Sequence, residues 1–257
     1  MNAFYKFVLS FSLIFSSTVF ASDLALKIDG VYLPHQGFDD NDEIELVLDT
    51  HLPNICYRAK NPIIKIDEIN KKILLKVSAV KRELAECQSE NLASPYQFPI
   101  QYAENLKLGK LSAGDYTVIY GENSNEQTSF VVEKASISSI DEKLYAPIGQ
   151  IFVPEMISHN DEVQVIITGV LNNSCMGLQE KNIKVLHQGD TFVVLPVLTY
   201  SQSKDCQSIT RPFQFIISLG KQKIGRYLIH ARSLSGQSLN RLFTIKDYTQ
   251  ADSEVSF

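Results

Sequence analysis

A chain of 257 residues that is 44% hydrophobic, 10% aromatic and 21% charged has the composition of a folded protein, neither wholly disordered nor collagen-like. Its formal charge of −5 includes no basic block, which argues against nucleic acid as a partner. The length suits two ordinary domains.

Lys6 gives the first residues a positive charge, Phe7 to Phe15 is an apolar run broken only by Ser10 and Ser12, and Val19-Phe20-Ala21 sets small residues at both cleavage-reading positions. A signal peptide over 1–21, cut after Ala21, is expected. Its apolar run is shorter than the roughly 20 residues of a spanning helix, and no later segment is long and apolar enough to span a bilayer. No Cys near the cut indicates a lipid anchor. Cleavage removes Lys6 and no acid, so the formal charge moves from −5 to −6. The mature chain is expected to be exported, periplasmic or secreted, with no transmembrane segment.

Beyond the leader the periodicity is two: Ile44, Leu46 and Leu48 alternate around Glu45 and Val47, and Tyr96, Phe98, Ile100 and Tyr102 alternate with Gln97, Pro99 and Gln101. Strands are predicted around Leu24 to Tyr32, Glu43 to Asp49, Ile63 to Asp67, Ile73 to Val80, Tyr96 to Tyr102, Asp115 to Tyr120 and Thr128 to Glu133. A second set runs from Gln150 through Val163 to Ile167, Ile183 to Leu186, Thr191 to Val197, Phe213 to Ile217, Tyr227 to His230 and Arg241 to Ile245. Turn formers such as Gly121-Glu122-Asn123 and Gly189-Asp190 separate them. Seven short strands in each of two sets is a sandwich count.

Four cysteines in an exported chain allow three pairings. Cys56 and Cys87 are 31 apart, as are Cys175 and Cys206, and a repeat surrounds them. Asn41-Asp42-Glu43 recurs as Asn160-Asp161-Glu162, Cys56 as Cys175, and Cys87-Gln88-Ser89 as Cys206-Gln207-Ser208, all 119 residues on. Pro95-Tyr96-Gln97-Phe98 matches Pro212-Phe213-Gln214-Phe215 at 117, Gly114 and Tyr116 match Gly225 and Tyr227 at 111, and Phe130 matches Phe243 at 113. A tandem duplication in which each copy closes its own bridge is expected: Cys56 to Cys87 and Cys175 to Cys206. In the chain-entropy account each bridge contributes roughly 3 to 4 kcal/mol. Structural zinc needs close-set Cys pairs, and there are none.

Leu111-Ser112-Ala113-Gly114-Asp115-Tyr116 followed by Thr117-Val118 resembles the tyrosine corner of immunoglobulin-like and fibronectin type III-like sandwiches, and Ile224-Gly225-Arg226-Tyr227 is a thinner version. The resemblance implies an all-β chain of two tandem immunoglobulin-like β-sandwich domains, with Tyr116 and Tyr227 as structural residues. The chain departs from antibody domains in having no Trp, and its Cys pairs are not their inter-sheet bridge. The expected division is domain 1 over 22–134, a small polar linker over 135–143 that permits some relative motion, domain 2 over 144–247 and a loose tail over 248–257.

Chemistry-bearing motifs are scarce. The sequence holds no Gly-x-Ser-x-Gly, no His-Glu-x-x-His, no phosphate loop and no EF-hand loop. Ser201-Gln202-Ser203-Lys204 spells a Ser-x-x-Lys without companion motifs, and His35, His51, His159, His187 and His230 stand at no ligand spacing. Asp39-Asp40-Asn41-Asp42-Glu43 has a composition that suits calcium, but its counterpart Ser158-His159-Asn160-Asp161-Glu162 keeps only the turn residues, so a solvated turn is expected. Neither catalysis, a cofactor nor a metal is expected. A binding or scaffold protein remains, facing a protein partner whose identity the residues do not name. The alternatives are a two-immunoglobulin-domain periplasmic chaperone and a secreted enzyme inhibitor. The candidate contact residues are those where the first-Cys loops differ: Tyr57 and Arg58 in one copy, Met176 and Leu178 in the other. The competing expectation is that these side chains only cover their own disulfides.

Overall fold

The computed structural model describes residues 23–88, 97–121, 126–201 and 205–247. The predicted leader, the tail over 248–257, and residues 202–204 of the Ser-x-x-Lys lie outside the described residues. The first half runs through β1 (Leu24–Leu26), β2 (Ile28–Tyr32), β3 (Phe38–Asp39), β4 (Ile44–Leu52), β5 (Tyr57–Ala59), β6 (Ile63–Asp67), β7 (Lys72–Lys81), β8 (Ile100–Gly109), β9 (Gly114–Tyr120) and β10 (Glu126–Glu133). The second runs through β11 (Ile148–Phe152), β12 (Ile157–Ser158), β13 (Glu162–Leu171), β14 (Met176–Gly177), β15 (Ile183–Gln188), β16 (Thr191–Pro196), β17 (Thr199–Tyr200), β18 (Arg211–Lys221), β19 (Gly225–Arg232) and β20 (Ser238–Lys246). The chain is all-β and sandwich-like, with only 3₁₀ turns for helix among the described residues. None of these is long and apolar enough to cross a membrane.

Each half sets a three-stranded sheet, β2-β4-β8 or β11-β13-β18, against a larger one, in which the order β3-β10-β9-β7-β6 recurs as β12-β20-β19-β16-β15. In the second half, the two-residue turn at Gly189-Asp190 joins β15 to β16, and Gly189 takes the positive φ of 65° that such a tight hairpin requires. The outer strand of that hairpin enters first, so the inner one comes back parallel to its neighbour: β7 to β9, and β16 to β19. The antiparallel sheets of the resembled sandwiches have no such pairing.

Register corrects one part of the repeat. Leu52 pairs with Ile100 and Leu171 pairs with Arg211, so β8 and β18 correspond at an offset of 111, not the 117 suggested by Pro95-Tyr96-Gln97-Phe98. Phe213 therefore matches Tyr102, and the strand predicted at Tyr96 to Tyr102 begins only at Ile100 and continues to Gly109. The aromatic spacing alone does not fix the register, since a period of two is satisfied by any even shift.

Two hydrophobic clusters follow from the alternation. One gathers Leu46, Leu48, Ile73, Leu75, Tyr116 and Phe130 with their neighbours, and the other Val165, Ile167, Phe192, Val194, Ile229 and Phe243 with theirs. Each contains a stacked aromatic pair in cross-strand register, Tyr116 on Phe130 at 5.4 Å and Tyr227 on Phe243 at 5.5 Å.

Candidate functional site

The cysteines close two bridges, Cys56 to Cys87 and Cys175 to Cys206, with Cα–Cα distances of 5.5 and 5.4 Å. Each first cysteine sits in an Asx turn: Asn54 Oδ1 accepts from Cys56 N at 2.9 Å, and Asn173 Oδ1 accepts from Cys175 N at 3.0 Å. Tyr57 is half-buried on β5, opposite Lys81, and Arg58 beside it is exposed. Met176 and Leu178 are half-buried and pack onto the second cluster, while the Arg211 guanidinium donates to the Asn173 and Met176 carbonyls. These two side chains cover the core and project less than Arg58 does.

Each corner tyrosine donates to a carbonyl four residues upstream, Tyr116 to Ser112 O and Tyr227 to Lys223 O, both at 3.0 Å. The first is fully buried and has a companion. Lys71, held at a positive φ of 53°, places its ammonium 4.9 Å over the Tyr116 ring and donates to Ser112 Oγ at 2.6 Å.

The two halves meet at a buried seam. On β4 the outward residues Val47 and Asp49 are only 4% and 2% exposed, and on β19 the outward Leu228, His230 and Arg232 are buried too. A sheet loses its alternation of burial only when something covers its second face, and here each half covers the other. Asp49 Oδ2 lies 2.6 Å from Arg226 Nε, and its Oδ1 accepts from Arg226 Nη2 at 3.2 Å. Glu45 accepts from Ser238 Oγ at 2.9 Å and from Asn240 Nδ2 at 3.3 Å. Asp42 takes both guanidinium nitrogens of Arg232, at 2.6 and 2.7 Å, while Gly37 O accepts a further bond from the same group. Thr191 and Gln188 close the far side by bonding Leu33 O and the His35 and Gln36 backbone.

Desolvation shapes the electrostatics of this seam. Burial outweighs the attraction of Arg226 and holds the Asp49 carboxyl above the usual carboxylate range. It pushes the Tyr32 hydroxyl up to about 12, with Asp49 and Asp190 adding to the shift. His230 is fully enclosed and lowered to about 4, first by burial and then by Arg232; its Nδ1 lies 2.8 Å from Asn240 Oδ1 and its ring meets Phe38 edge-on.

The contacts also fix orientation. Moving from Asp42, just before β4, through Glu45 to Asp49, the partners are Arg232 at the end of β19, then Asn240 of β20 opposite His230, then Arg226 at the start of β19, so β4 and β19 run in opposite directions. In each half, the end of β19 or its counterpart β9 lies at the disulfide end, because β5 pairs with the end of β7, and Ala146 N bonds Pro196 O beside the end of β13. The two disulfide-tied ends therefore face opposite ways. Residues 235–237 pack on the segment 135–143: Gly236 N donates to Asp141 at 2.8 Å. Asn41 Nδ2 donates to Ile137 O of the same segment at 2.8 Å.

A cleft of about 400 Å³ opens at one edge of the seam, lined by His51, Gln101, Glu155, Arg226, Arg241 and Lys246 among others. Among the described residues no group of three or more His, Cys, Asp or Glu side chains is placed to hold a metal. The Asp39 to Glu43 segment forms a turn in which Asp42 Oδ2 caps Asp39 N at 2.9 Å. No family model, curated protein or solved structure matches this chain.

Proposed function

We propose that the chain is an exported, non-catalytic binding or scaffold protein, a tandem duplication of an immunoglobulin-like sandwich with domains over 22–134 and 144–247, that engages a protein partner of the cell envelope or outside the cell. Two disulfides belong to an oxidising compartment and support export. The observation that carries the reading is the seam. Two buried ion pairs fix the halves with their stapled ends opposed, so the molecule is a rigid two-ended unit. Rigid presentation lowers the entropy lost when a partner binds, as the disulfides do for the loops they close.

The first-half end, with Tyr57 and Arg58, is the contact surface under this reading; Met176 and Leu178 serve chiefly as a lid. The test is affinity capture from envelope extracts, followed by titration of the captured partner against wild type and the Tyr57→Ala, Arg58→Ala double variant. A loss of about 2 kcal/mol or more is expected for hot-spot residues. Unchanged affinity with an intact fold removes the site from this end.

A further inference from the structure

Strands β8 and β18 occupy equivalent places and differ in one decisive respect. Each is the last strand of its three-stranded sheet and, among the described residues, is paired on one side only, with β4 or β13. A free edge offers unpaired backbone groups to any extended chain, and proteins ordinarily guard it with charge. Strand β8 is guarded: Glu104 and Lys107 lie in its middle, and Tyr102 Oη closes the inward side by donating to Glu104 at 2.7 Å. At the matching positions β18 carries Phe215 and Ser218, and from Pro212 to Gly220 it has no charge at all.

The inward side of β18 is only partly covered. Strand β11 packs toward β20, which places β18 at the other flank of the sandwich, the flank on which β15 is the edge strand of the facing sheet. Phe213 and Phe215, with rings 5.9 Å apart, are half-buried there, as are Ile183 and Val185 of β15. Gly169 permits this placement, since a Cβ there would sit 2.4 Å from the Phe213 ring. On the outer face Phe152, Ile166 and Ile216 form one apolar row across all three strands, with Phe152 and Ile216 51% and 56% exposed.

We infer that this flank is a strand-acceptor site: an extended segment of another protein adds to β18 through backbone hydrogen bonds and sets alternate apolar side chains between Phe213 and Phe215 on one wall and Ile183 and Val185 on the other. Charge selects the occupant. Arg211 and Lys221 bracket the neutral stretch, so the fitting segment is uncharged in its middle and acidic at its ends. A second copy fits worse, because antiparallel pairing centred on Ile216 sets Arg211 against Lys221 of the other copy. The inference rests on the chain being a protein-binding module but not on the Cys56 end.

The test uses the full mature chain and a blocked nine-residue probe of alternating valine and threonine with an aspartate at each end, followed by fluorescence anisotropy up to millimolar protein. Saturable binding is expected. It should weaken at least tenfold when the edge-facing probe nitrogens are methylated, and at least threefold when the aspartates become lysines. Ser218→Lys and Phe215→Glu, which transplant the guard residues of β8, should each cost at least tenfold; Ser218 is exposed, so that variant keeps the fold even if Phe215→Glu does not. No binding at millimolar protein, indifference to methylation, or a dimer abolished by Ser218→Lys would overturn the proposal. The Tyr57→Ala, Arg58→Ala variant should bind the probe as wild type does, which separates failure of this site from failure at the other end.

Discussion

The turn at Asp39 to Glu43 and the turn at Ser158 to Glu162 are the same structure with different consequences. In each, the aspartate caps a backbone N–H three residues earlier, Asp42 at 2.9 Å and Asp161 at 3.0 Å, and a strand follows at once, from Ile44 or from Glu162. Asp161 stays exposed, whereas Asp42 is buried under Arg232 of the other half. The local sequence decides the turn. What the carboxylate contributes to stability depends on the surface laid against it, and only one copy of the repeat has such a surface.

The sharpest way to break that comparison is to remove the partner. Arg232→Met strands a buried carboxylate and should cost about 3 to 5 kcal/mol in urea unfolding, while Asp161→Asn should stay within about 0.5 kcal/mol. Similar costs at both turns would mean that the seam is not held by this pair. Next come the bridges. Replacing both cysteines of either pair by serine should cost about 3 to 4 kcal/mol, and hydrogen exchange should confine the loosening to the half concerned. Under mild thiol the Cys175–Cys206 bridge should open first, because Cys206 is exposed while Cys56 and Cys87 are fully buried.

The third prediction sets His230 against its counterpart, Ile119. The unfolded chain takes up the histidine proton near pH 6.5 and the folded chain only near 4, so stability should fall as pH drops through that window, by about 3 kcal/mol at its limit. Arg232, Asn240, Phe38 and Asp42 face the ring. Asp49, whose carboxyl is raised, works in the opposite sense, since protonation at low pH favours its folded form. The measurement is therefore the difference between wild type and His230→Gln in denaturation at pH 7 and pH 4.5; equal losses would exclude the histidine as the source. The smallest effect separates the corners. Tyr116→Phe, in a fully buried corner, should cost about 1 to 3 kcal/mol, and Tyr227→Phe, in a more open one, less than about 1 kcal/mol. Reversal of that order would show that burial does not set the worth of the two bonds.

The sequence by itself determined the strands, because alternation such as Ile44, Leu46 and Leu48 is a direct image of one buried sheet face. It also singled out Tyr116 and Tyr227, whose hydroxyl groups bond to carbonyls four residues away. The repeat around Cys56 and Cys175 matched each cysteine to its neighbour 31 residues on. The sequence carries a trace of the seam: Leu228-Ile229-His230-Ala231 and Phe192-Val193-Val194 do not alternate, as strands covered on both faces do not. Only the tertiary structure decided which surface covers them, why Asp42 finds Arg232, and that the stapled ends oppose one another. Periodicity and spacing record what each strand does within its own sheet. The contact between two outward faces joins residues 190 apart, and no local pattern carries that distance.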